Sequence, residues 1–187
     1  MTYFGTETQI ALQRRAEELY DWLYTTAGCC HPGRFCGTDD PKLLGWQAIE
    51  VALRRDKVFG FRLIPATEGT LISGRLEALG YRLDMWNVFL ANAREALPPS
   101  RVFVEHALPS DLDEHVLAPG DSNERASEVQ KFMADNSIAP FSSRMLMGDL
   151  GPAATPYIRD SGGRIVACAH AYFPHNRHSA HKNTAWV

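Results

Sequence analysis

The chain has 187 residues, 45% of them hydrophobic and 22% charged, with a formal net charge of −3. That is enough apolar material for one large domain or two small ones with a real core, so disulfides are not needed for stability. No stretch concentrates Lys and Arg, which argues against nucleic acid as a partner. No run reaches the roughly 18 apolar residues of a membrane span, and Met1-Thr2-Tyr3-Phe4-Gly5 lacks the basic-then-apolar pattern of a secretory signal. Cys29, Cys30, Cys36 and Cys168 then fit free thiols in a reducing cytoplasm.

Thr6-Glu7-Thr8-Gln9 predicts a helix start, with Thr6 as cap and Gln9 reaching back. Leu12, Ala16, Leu19, Tyr20 and Leu23 follow at helical spacing, and Gly28 ends the helix. Residues 29–38 read as a Gly-, Pro- and Cys-rich loop. Asp40-Pro41 reads as cap plus first-turn proline, opening a helix with Trp46, Ile49 and Leu53 on one side. Residues 58–64 predict a strand. A third helix, capped at Thr67, carries Leu71 or Ile72, Leu76 and Leu79 and stops at Gly80. Tyr81–Ala91, rich in aromatic and branched residues, predicts a long strand, so 58–91 reads as a strand-helix-strand unit.

Residues 92–100, with Pro98-Pro99, read as a linker. They divide the chain into 1–97, a helical plus strand-helix-strand region, and 98–187. In the second part Val102–Leu108 predicts a strand, and Ser110-Asp111-Leu112-Asp113 opens a short helix. A longer helix begins at Ser122 or Asn123, with Val129, Phe132, Met133 and Ile138 on its apolar face. Residues 140–148 form a loop or short helix. Residues 155–159 and 164–173 form a hairpin about Ser161-Gly162-Gly163, and 183–187 opens a further strand. The fold class is α/β in the mixed α+β sense.

Two clusters invite a metal reading. His170, His175, His178 and His181 fall close together, but their spacing matches no helix-borne pair of ligands, and the segment reads as a solvated, partly disordered loop. Cys29-Cys30-His31 with Cys36 lacks the separated pairs that zinc takes, and reads as partly buried thiols in a turn. No metal is expected at either.

From Arg101 onward the expected order is strand, helix, helix, strand, hairpin, strand. With Val102–Leu108, Pro109-Ser110-Asp111-Leu112 and the run Tyr157-Ile158-Arg159-Asp160-Ser161-Gly162-Gly163-Arg164-Ile165-Val166-Ala167-Cys168-Ala169-His170-Ala171, it resembles the N-terminal half of the GNAT superfamily of N-acyltransferases. Residues 67–84, with Gly80-Tyr81-Arg82-Leu83-Asp84, echo the family's closing helix and strand. Residues 1–97 are therefore either a degenerate half-copy or an unrelated cap. The resemblance implies a partial GNAT-like central sheet and acetyl transfer from acetyl-CoA to a primary amine, with direct attack by the acceptor. It places Phe141, His170, Tyr172 and Glu124 on the acceptor side, with His170 or Tyr172 orienting the substrate or relaying a proton. It places Trp186 and Val187 where the family's fourth strand meets the cofactor. The family's glycine-bearing cofactor loop, R/Q-x-x-G-x-G/A, has no counterpart in this sequence. Its absence implies either a continuation beyond Val187 or a non-catalytic GNAT-like module that binds a ligand, or that pairs with a second copy through an open sheet edge.

Overall fold

A computed structural model describes residues 2–187. Thr6 caps the first helix, α1 (Glu7–Glu18): its hydroxyl accepts from the Gln9 amide, and the Gln9 side chain accepts from the Thr6 amide. Helix α1 buries Gln13, whose Nε2 donates to the Phe4 carbonyl at 2.8 Å, and Ala16. Helix α2 (Tyr20–Thr25) buries Leu23. The chain then turns at Gly28, which has φ +81°. A Cβ there would lie 2.6 Å from the Leu44 amide and 2.8 Å from the Asp40 carbonyl, so the turn requires glycine.

The segment read as loop contains two short strands, β1 (Cys29–Cys30) and β2 (Gly37–Thr38), paired antiparallel. Asp40 caps the single turn α3 (Pro41–Leu44) by accepting from the Lys42 and Leu43 amides. Helix α4 (Trp46–Asp56) buries Ile49, Ala52 and Leu53. Only Gly60–Phe61 of the strand expected at 58–64 is paired; this is β3, parallel to β2. Next come α5 (Ala66–Ala78), α6 (Ala93–Val104) and β4 (Leu112–Leu117). Then follow α7 (Asn123–Asp135), α8 (Ser143–Met147), β5 (Ala153–Asp160), β6 (Ile165–Cys168) and β7 (Ala171–Tyr172). The protein is mixed α+β, with eight helices and two small, mostly antiparallel sheets among the described residues.

The chain divides into two units that do not follow the expected 1–97 and 98–187. The larger joins the chain up to Arg62 with Asp111–Val187, and the smaller is Leu63–Ser110. In the larger unit β4, β5 and β6 pair antiparallel in sequence order, and β7 also pairs β5. Ala153 faces Tyr172 and Tyr157 faces Cys168, so one register runs through β6 and β7, and Thr155 falls opposite His170. Trp186 then bridges antiparallel to Tyr172. Helices α7 and α8 lie on this sheet, with Leu117, Val129, Met133, Leu146 and Tyr157 in a shared core. Buried Gln130 donates to the Phe141 carbonyl at 2.7 Å and to the Thr2 carbonyl at 3.2 Å, tying the N-terminal segment to α7.

The smaller unit departs most from expectation. Tyr81–Ala91 forms no strand, although its composition suits one. β-propensity is realised only against a pairing partner, and here Trp86 and Phe89 stand 85% and 94% exposed. The expected linker 92–100 is the first part of α6, with Pro98 and Pro99 inside the helix and Asn92 as cap. The Val102–Leu108 strand is absent, since α6 runs through Val104. The Ser110–Asp113 capping box does not fire either. Leu112–Leu117 is strand instead, because β5 pairs with its full length, from Asp160 to Thr155.

The histidine-rich segment, read as solvated, is pinned. His175 and Asn176 are buried, and the Asn176 side-chain amide donates to the carbonyls of Leu23, Thr26 and Cys29 at 3.0, 2.7 and 2.9 Å. Asn176→Ala leaves buried carbonyls without a donor. It should lower the unfolding free energy by about 2 kcal/mol in urea titrations at unchanged m-value, and a loss below about 0.5 kcal/mol would show that other donors replace the amide.

Candidate functional site

Three of the four residues expected on an acceptor face come together. The rings of Phe141 and His170 have centroids 4.5 Å apart, His170 and Tyr172 stack at 5.3 Å, and Phe141 meets Tyr172 edge-on at 5.8 Å. Strand register places His170 and Tyr172 on one face, two residues apart, while Phe141 sits just before the Ser142 cap of α8. Glu124 does not join them. It is exposed in the first turn of α7, where backbone bonds at the helix start and the Ser122 hydroxyl hold its carboxyl below the usual range. Trp186 pairs with Tyr172 through both backbone groups, accepting at 3.0 Å and donating at 2.8 Å. Val187 follows it, exposed.

The hydrogen-bond network assigns the histidine tautomers. The Thr155 hydroxyl donates its one hydrogen to the Leu146 carbonyl at 2.6 Å, so its oxygen accepts from His170 Nδ1 at 2.8 Å. His170 Nε2 therefore carries a lone pair, and it is buried with no protein partner. His31, in the turn between β1 and β2, is the reverse case: its Nδ1 accepts from the Gly33 amide at 3.1 Å, so the buried Nε2–H is a donor without a partner. Burial holds both histidines neutral, with pKa lowered to about 4; at His170 the charge of Arg34 adds to the effect. The Tyr172 hydroxyl is also buried and unpartnered, and burial pushes its pKa up to about 12, against the opposing pull of Arg62 and Arg34.

The wall carries cations on two aromatic faces. The Arg34 guanidinium lies 4.0 Å above the Phe141 ring, and that of Arg62 lies 3.9 Å above the Trp186 ring. Gly33 permits this approach. It has φ +93°, and a Cβ would overlap Phe141 and come within 3.0 Å of the Tyr172 hydroxyl. A small hollow beside the wall, bounded by Tyr20, His31, Leu150 and Tyr172, has a volume of about 20 Å³, room for about one water molecule.

A second polar cluster adjoins the β1–β2 loop. Asp39 accepts from His175 Nδ1 at 2.6 Å and from the Ser179 hydroxyl. Burial alone would raise the Asp39 pKa, but these bonds and the charges of His175 and His181 outweigh it, and the net shift is downward. Among the described residues no three His, Cys, Asp or Glu side chains are arranged to hold a metal ion. Cys29, Cys30 and Cys36 are fully buried rather than partly so. Burial pushes the Cys29 and Cys36 thiols up to about 12 and about 11 and raises that of Cys30 as well, which keeps them unreactive.

No protein-family model, no curated protein and no solved structure matches the chain. Sequence reasoning placed Phe141, His170 and Tyr172 but passed over Arg34, Arg62, Thr155 and the non-metal role of His31. The available signal was Gly33-Arg34-Phe35, a lone cation in an otherwise apolar, cysteine-rich turn.

Both neutral histidines have a folded-state pKa of about 4 against 6.5 for the free side chain. The unfolded chain therefore binds more protons between these values, and their contribution is complete above pH 6.5 and lost as pH falls towards 4. The unfolding free energy from urea titrations should drop steeply across that window, by about 3 kcal/mol per histidine, and His170→Gln should remove about half of the slope. Gly33→Ala should destabilise by about 3 kcal/mol through the strained backbone angle and the clash with Phe141, read as a lower Tm and a weakened near-UV signal.

Proposed function

We propose that this chain forms the acceptor side of a GNAT-like N-acyltransferase sheet, serving transfer of an acetyl group from acetyl-CoA to a primary amine. The observation that supports it is the order of the larger unit: β4, then α7 and α8, then β5, the β6–β7 strand and the Trp186 bridge, each strand antiparallel to the one before. The opening strand of that order lies at Leu112–Leu117 instead of 102–108.

In this reading the acceptor amine meets the Phe141–His170–Tyr172 wall. His170 Nε2, neutral at pH 7 and carrying its lone pair inward from solvent, accepts an amine hydrogen and orients the nucleophile. With a pKa of about 4 it is a weak base, so its role is positioning, and the acceptor's proton leaves to solvent.

The residues expected to meet acetyl-CoA do not fit it well. The amide and carbonyl of Trp186 are both engaged by Tyr172, and Arg62 covers a face of its indole. Neither group is free to polarise a thioester, so the described residues form an acceptor wall without a cofactor cradle. That engagement favours a second reading, a non-catalytic GNAT-like module that binds a ligand at the same wall. In either reading the protein works in the cytoplasm, and a homodimer would form along the open edge of β4, which has a single strand partner. No helix among the described residues is long and apolar enough to cross a membrane.

Calorimetry with acetyl-CoA separates the readings. Micromolar binding, with acetyl transfer to a panel of primary amines that falls at least tenfold in His170→Ala, supports the enzyme. Absence of heat up to millimolar acetyl-CoA supports the module.

A further inference from the structure

Arg34 and Arg62 are held face-on by aromatic rings but edge-on by nothing. Stacking occupies the flat face of a guanidinium and leaves its in-plane N–H fork free. Among the described residues neither side chain has a carboxylate or hydrogen-bonding partner, and Arg34 Nε is buried without one. Several other arginines of the larger unit are paired: Arg125 with Asp121, Arg159 with Glu128 and Arg164 with Asp160. Both rings that carry Arg34 and Arg62 neighbour Tyr172: Phe141 meets it edge-on at 5.8 Å, and Trp186 bridges to it antiparallel. Burial pushes the Arg34 pKa down and Arg62 adds to that, with Tyr172 opposing. Tyr172 is 3% exposed, and its hydroxyl, a third unpartnered donor, lies within the field of both guanidiniums.

Leaving two cations together without an anion is unfavourable in a partly desolvated site. What satisfies all three donors at once is an acceptor-only group carrying negative charge and more than one oxygen. We infer that Arg34, Arg62 and the Tyr172 hydroxyl form a binding site for a small oxyanion, the carboxylate or phosphate group of a ligand.

Both arginines keep part of their surface open, so the group reaches them from solvent, while Phe141 and Trp186 fix the two forks. The donors come from separate segments: the β1–β2 turn, the residue after β3, and β7. The anion would therefore also link them. His170 Nε2 presents a lone pair and takes no part in holding the anion while neutral. The site shares Tyr172 with the proposed acceptor wall, and Arg34 lies over its Phe141, but it needs neither acetyl-CoA nor turnover.

The test uses the full chain at pH 7.5 and constant ionic strength, titrated with sodium phosphate, sodium acetate or sodium chloride. Thermal melts should show Tm rising with phosphate or acetate beyond the chloride series, by roughly 5–10 °C at about a hundred times Kd. The anion with the larger rise identifies the oxyanion class. Arg34→Gln and Arg62→Gln should each weaken that response at least tenfold, and Tyr172→Phe should weaken it less. Should a variant fail to fold, nitrogen-15 spectra of the unsubstituted protein decide: the oxyanion should shift the Arg34, Arg62 and Tyr172 signals in a saturable way that chloride does not reproduce. Identical responses to phosphate, acetate and chloride, or saturable shifts confined to other residues, overturn the site.

Discussion

The β1–β2 loop keeps its shape because the segment after β7 fastens to it from the far end of the chain. His175 donates to Asp39, Ser179 donates to the same carboxylate, the His31 amide donates to the Pro174 carbonyl at 2.7 Å, and Asn176 gathers three carbonyls from the end of α2 and the start of β1. A buried hydrogen-bonded pair of this kind need not add net stability over an apolar one. Removing one member, however, strands the other, and so the two segments are committed to each other. Residues more than 130 positions apart thereby become neighbours.

The wall is a consequence of that commitment. Arg34 reaches Phe141 because the β1–β2 turn is held against β7, and Gly33 lets the backbone come close enough. The same packing removes water from His31, His170 and Tyr172, which is why the two imidazoles stay neutral and the phenol keeps its proton. The result is an uneven surface. One histidine carries a donor, the other an acceptor, and the charge of Arg34 acts on the second.

An acceptor wall and a cofactor cradle are separable parts of an acyltransferase sheet. In the proposed reading, the consecutive antiparallel strands of the larger unit and the two helices between the first pair are the framework for the former. The latter needs free backbone donors and a glycine-bearing turn into a helix, and Trp186 commits its backbone to Tyr172 instead.

Local signals were legible in the sequence where a few adjacent residues settle the matter. The Thr6–Gln9 capping box, the Asp40-Pro41 start, the Ser122 cap and the Gly162-Gly163 hairpin all act within five residues of one another, and the structure contains each. The strand pattern of Tyr81–Ala91 and Val102–Leu108 was real as composition, yet a strand exists only where another edge receives it, and that is a property of the whole fold. His170 and Tyr172 could be placed together in advance because they share one strand face. Arg34, Arg62 and Asp39 could not, since their meaning depends on which distant ring or imidazole arrives beside them. The sequence by itself determined caps, turns and the alternation of the hairpin, because those energies are local. The tertiary structure alone decided which strands pair, which histidines lose water and which cations are left without a counter-charge, because burial and Coulomb interactions act between residues that only folding brings together.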